Sequence, residues 1–69
     1  MTTTILARTN SQSIDTETIA AYLPDNYRVL GRLDDGDWVI VGTDVAGWTA
    51  DDYVIPRLAS TLVAAERVE

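Results

Sequence analysis

The sequence predicts a single α+β domain over residues 1–69, a small antiparallel sheet in the order β-α-β-β-α with its helices packed on one face. Three observations carry that expectation. The stretch YRVLGRL-DDGD-WVIVGT flanks Asp35 and Gly36 with two apolar-rich runs, the pattern of a hairpin. The stretch IDTETIAAYLP holds a capping acid, an apolar stripe and a proline stop, the pattern of a short helix. The last third repeats apolar residues at helical spacing. A chain of 69 residues has room for one such core.

Taken in order, Thr2 to Arg8 (TTTILAR) is rich in β-branched residues and reads as a strand. Asn10, Ser11, Gln12 and Ser13 make a polar break. Asp15 then suits an N-cap, with Glu17 in the first turn where the helix dipole favours acids. Ile14 and Ile19 are spaced for a hydrophobic staple, and Ile19, Ala20 and Leu23 share a face. Pro24 stops this helix, and Pro24, Asp25 and Asn26 form a turn.

A two-residue turn at Asp35 and Gly36 sets the hairpin register. Leu33 then opposes Trp38, Gly31 opposes Ile40 and Val29 opposes Gly42 on the face the helices cover. Leu30 opposes Val41 and Arg32 opposes Val39 on the other face. Large residues sit beside small ones on the first face, as tight packing across it requires. On the second, Leu30, Val39 and Val41 are framed by Arg28 and Arg32. An apolar patch rimmed by charge suits a subunit interface; a polar-leaning outer face with arginine stems lying over the valines is the alternative.

In GWTADDYVIPRL, Thr49 reads as an N-cap with Asp52 three residues on, a capping-box pattern with Asp in place of Glu. Trp48 and Tyr53 form a second staple, and Asp51 and Asp52 sit where the dipole favours them. Pro56 interrupts the helical run that Thr49 opens. Either the helix kinks there, or one turn over residues 50–54 stops and Pro56 opens the main helix at its first position, which is favoured. Val54, Ile55, Leu58, Ala59, Leu62 and Ala65 then span about 140° of one face.

Composition narrows the function. The chain has no Cys and no His, which removes disulfides, thiolate metal sites and the commonest general base. The expectation is therefore no catalytic residues, no metal and no cofactor. Net charge is −6, and five scattered arginines make no basic face for nucleic acid. No run approaches the ~18 apolar residues of a membrane span, and the N-terminus lacks signal-peptide features, so a cytoplasmic location is expected. The DDGD tip lacks the alternating acids of a calcium loop, and the glycines form no phosphate loop. A domain this small commonly needs a partner subunit to complete its core, so a homo-oligomer is expected, with a dimer favoured.

The residues from YLPDNYRVLGRL through GWTADDYVIPRLAS resemble small uncharacterised proteins of actinobacteria and their phages, in which a YVIPRLAS-like segment follows a GWT turn. The resemblance spans most of residues 22–63. It implies an accessory protein of a high-GC bacterium or its phage, consistent with an all-arginine basic set, and carries over no site residues.

The leading expectation is a non-enzymatic, self-associating protein-interaction module that also has room for a host protein partner. Leu30, Val39, Val41, Trp48 and Tyr53 are its contact residues. The alternative is an acidic nucleic-acid mimic that inhibits a DNA-binding protein. It needs Asp34, Asp35, Asp37, Asp44, Asp51 and Asp52 exposed along one line, in two poles about 20 Å apart. A small-ligand role would need a concave pocket with convergent polar groups.

Overall fold

The computed structural model describes residues 1–9, 13–61 and 63–69. The polar break at Asn10, Ser11 and Gln12, and the stripe position Leu62, lie outside them. The elements are β1 (Thr3–Thr9), α1 (Thr16–Ala21), β2 (Tyr27–Arg32), β3 (Trp38–Gly42), a π-helical turn (Ala50–Val54) running directly into α2 (Ile55–Ala59), and β4 (Val63–Arg67). The four strands form one antiparallel sheet in the order β2-β3-β1-β4. The α+β class holds, and the predicted element order gains a fourth strand.

That strand corrects the reading of the C-terminus as helix. The helix ends at Ala59 because its neighbours offer the backbone other partners. Ser60 Oγ donates to the Arg57 carbonyl and Thr61 Oγ1 to the Leu58 carbonyl. The Thr61 N–H tightens onto the Leu58 carbonyl as well. The chain then returns along β1, pairing Thr9 with Val63 and Ile5 with Arg67. Without β4, β1 would expose a row of unpaired N–H and C=O groups.

Alternation along the strands builds the core. Thr3, Ile5 and Ala7 of β1, Trp38 and Ile40 of β3 and Val63 of β4 are buried on one face. Ile19 of α1, Ala50 and Val54 of the π turn and Leu58 of α2 pack into the same cluster. The helical elements therefore cover one face of the sheet. Trp38 satisfies its indole N–H on Thr16 Oγ1 at 3.0 Å, and Arg32 lies 4.3 Å over its ring.

The hairpin differs from its predicted register. The Gly36 N–H reaches the Leu33 carbonyl at 2.9 Å and the Leu33 N–H reaches the Asp37 carbonyl at 2.7 Å. Asp34, Asp35 and Gly36 thus form a three-residue loop, with Gly36 at φ +96° in the left-handed position such a loop requires. Arg32 now opposes Trp38 and Gly31 opposes Val39. A one-residue slip would turn all of β2 inside out. A bulge between Val29 and Gly31 restores the parity, returning Val29 opposite Ile40 and Tyr27 opposite Gly42. Leu33 is consequently exposed, and the Tyr27 ring lies where a Gly42 side chain would be, 2.5 Å from a Cβ built there.

Asp15 caps α1 as predicted, accepting from the Thr18 N–H at 2.9 Å, and Ile14 packs against the core that holds Ile19. Ala20 faces solvent instead of the core. Pro56 follows the favoured course in outline, a turn over Ala50–Val54 and then a helix with the proline at its start, but the turn is π-helical and the two are continuous. The N–H groups of Tyr53 and Val54 both reach the Thr49 carbonyl, and that of Ile55 reaches Ala50. The widened turn passes straight into α2 with Pro56 in its first turn. Five-residue spacing loosens the backbone where the proline ring would meet the carbonyl four residues back.

Candidate functional site

With the helices on one side, the other face of the sheet is left open. Alternation puts Thr4 and Leu6 of β1, Val39 and Val41 of β3, and Ala64 and Glu66 of β4 there. Across the strands, Arg28, Val41 and Thr4 form one row, since Arg28 pairs with Val41 and Val41 with Thr4. Val39, Leu6 and Glu66 form the next. Leu6, Val39 and Val41 are half-buried. Leu30 is the bulge residue at the β2 edge, 60% exposed and without a ladder partner, so the predicted Leu30–Val41 pairing does not form.

Arg8 and Asp37 close one end of this face. They stand one step beyond the Ala7–Trp38 pair and form a two-pronged ion pair, Nε to Oδ1 at 3.0 Å and Nη2 to Oδ2 at 2.8 Å. Asp37 is buried while Arg8 is largely exposed. The arginine hydrogen bond, helped by its charge, holds the Asp37 carboxyl below its ordinary pKa against the opposing effect of burial, and Asp37 raises that of Arg8. A shallow cleft of about 200 Å³ lies over this pair, lined also by Leu6, Ala64 and Glu66.

Trp48 and Tyr53 belong to a different surface. Their rings meet edge to face, 4.5 Å between centroids at 76°, as the staple predicts. Thr49 caps the turn between them, accepting from the Asp52 N–H at 3.1 Å. Asn26 holds the preceding loop in place, its amide donating to the carbonyls of Thr43 and Trp48, both at 2.8 Å. Pro24, Asp25, Asn26, Val45, Trp48 and Tyr53 line a cleft of about 470 Å³. The five contact residues predicted from sequence thus divide between the open face with its edge and this aromatic cleft.

The acidic residues divide as well. Asp44 Oδ1 accepts from the Tyr27 hydroxyl and from the Ala50 N–H, tying the β3 exit to the π turn. The Tyr27 bond, then the Ala50 bond, lower the Asp44 pKa; burial, then the bond to Asp44, raises that of Tyr27. Asp51 approaches Arg67 at 3.4 Å. Asp34, Asp35, Asp51 and Asp52 are exposed, whereas Asp37 and Asp44 are engaged within the fold.

Sequence reasoning missed Glu66 because it placed no strand at β4, and missed Leu6 and Arg8 because it did not carry the alternation through the first strand. The alternation TTTILAR was the available signal for Leu6 and Arg8. Among the described residues no three acidic side chains gather to hold a metal ion, and no helix is long and apolar enough to cross a membrane. A scan against protein-family models and searches of curated proteins and of solved structures return no match.

Proposed function

We propose that this protein is a non-enzymatic interaction module that pairs with a second copy of itself through the open face of its sheet. The observation that supports the reading is the arrangement of that face. Leu6, Val39 and Val41 occupy its centre, Arg28 lies on one edge strand and Glu66 on the other. A two-fold axis running along the strands carries each edge onto the opposite one. Each Arg28 then comes over the partner's Glu66 edge, offset by one row, a distance of about 7 Å that an arginine side chain spans. The apolar centres meet as in an aligned sheet sandwich. Opposite charges at opposite edges make the surface self-complementary, which a merely solvated face does not require.

The nucleic-acid mimic is less well supported. Two of its six carboxylates, Asp37 and Asp44, are spent on Arg8 and on Tyr27 and Ala50. The accessory role in a high-GC bacterium or phage rests on the sequence resemblance alone. The test is light scattering coupled to gel filtration on the wild type and on Val41→Asp. The wild type is expected at twice the 7.6 kDa chain mass and the variant at the chain mass, with the same circular dichroism. A wild type that stays monomeric at high concentration ends the proposal.

A further inference from the structure

The Trp48–Tyr53 cleft lies on elements that the self-pairing face does not use, and it has the chemistry of a docking site of its own. Trp48 and Val45 are each 45% exposed, although burying side chains of this kind is ordinarily favourable. Their positions are nonetheless fixed: Asn26 grips the Thr43 and Trp48 carbonyls, and the Trp48 N–H closes a turn on Val45 at 2.9 Å. The walls are thus preformed, which limits the ordering cost of binding. Asp25 stands in the lining and Asp52 directly precedes Tyr53, and among the described residues neither has an ion-pair partner.

The chain supplies its own precedent for what such a surface accepts. The Arg57 guanidinium lies 5.6 Å from the Tyr53 ring centroid and 5.5 Å from that of Tyr22, with Nε on the Tyr22 carbonyl. One face of the aromatic cluster already carries a stacked guanidinium, and Trp48, the better π-donor, has none among the described residues. We propose that this cleft docks an extended, arginine-bearing peptide segment of a partner protein, its guanidinium stacked on Trp48 and paired with Asp25. The net charge of −6 favours the approach of such a segment, and an apolar neighbour of the arginine fits against Pro24 and Val45.

The experiment is a titration of ¹⁵N-labelled protein with a blocked Gly-Pro-Arg-Pro-Gly peptide, followed through the two indole N–H signals. The Trp48 signal is expected to move and saturate while that of buried Trp38 stays still. Trp48→Ala should weaken binding by about tenfold and Asp25→Asn by about threefold. Both residues are on the surface, so the variants are expected to stay folded. Binding should persist in Val41→Asp, which separates this site from self-pairing. No saturable shift, an equal shift with Gly-Pro-Ala-Pro-Gly, or unchanged affinity in Trp48→Ala would each overturn the proposal.

Discussion

The two faces of the sheet are made from alternate residues of the same strands, yet they meet different fates. On the covered face Ile5, Ala7, Trp38, Ile40 and Val63 have essentially no solvent exposure. On the open face Leu6, Val39 and Val41 are only half-buried, and arginines and a glutamate stand around them. Strand composition alone therefore does not say which face builds the fold. Val39, Ile40 and Val41 are near-identical in hydrophobicity, and what separates them is which side the helices occupy.

Substitutions on the two faces are expected to differ in cost. The largest effect is expected from truncating the covered face. Trp38→Ala removes the largest fully buried side chain and its bond to Thr16, and should cost about 3–5 kcal/mol in urea denaturation. In so small a domain that loss is expected to abolish cooperative unfolding. Next comes Gly42→Ala, whose Cβ would fall 2.3 Å from the Asn26 carbonyl and 2.5 Å from the Tyr27 ring. The strand and ring must shift together, at a cost of about 1–3 kcal/mol by the same assay.

Acid titration gives a smaller effect that sharpens the picture of the sheet's end. Asp37, Asp44 and Asp15 have folded pKa values below their ordinary one, through bonds from Arg8, from Tyr27 and Ala50, and from Thr18 respectively. Such groups contribute stability that is full above the unfolded-state pKa of about 4 and is lost as pH falls through the folded values. Urea midpoints should therefore hold steady from neutral pH to about pH 5 and fall below about pH 4, with a shallower fall in Asp37→Asn. Tyr27 acts in the opposite sense. Its raised pKa favours the neutral phenol in the fold, so its contribution is present below about pH 10 and lost above it; Tyr27→Phe should flatten the alkaline limb.

Much of this arrangement was legible in the sequence. The Asp15 and Thr49 caps and the Trp48–Tyr53 staple were read from local spacing, because their partners lie within a few residues. The hairpin was legible but its register was not. Asp35 and Gly36 suit a two-residue turn and the end of a three-residue loop alike, and the strand-interior Gly31 beside Leu30, a residue type that often accompanies a bulge, is the signal that was available and not used. The fourth strand was hidden because small alanines in VAAERV satisfy a helical and an extended period equally; only the open edge of β1 decides between them. Asp44 reads as one more surface acid, since its partner Tyr27 lies 17 residues away and is brought to it only by the hairpin. The open face was half legible: Val39 and Val41 came from alternation, while Glu66 needed β4.

Residues 40 and 41 allow the most direct test, because they are chain neighbours of similar size facing opposite ways. Ile40→Asp and Val41→Asp should be compared by sedimentation velocity together with circular dichroism. A sheet with one structural and one associating face predicts that Ile40→Asp unfolds, whereas Val41→Asp keeps the wild-type spectrum and sediments at half the wild-type mass. Equal loss of structure in both variants, or a Val41→Asp protein with the wild-type mass, would contradict it.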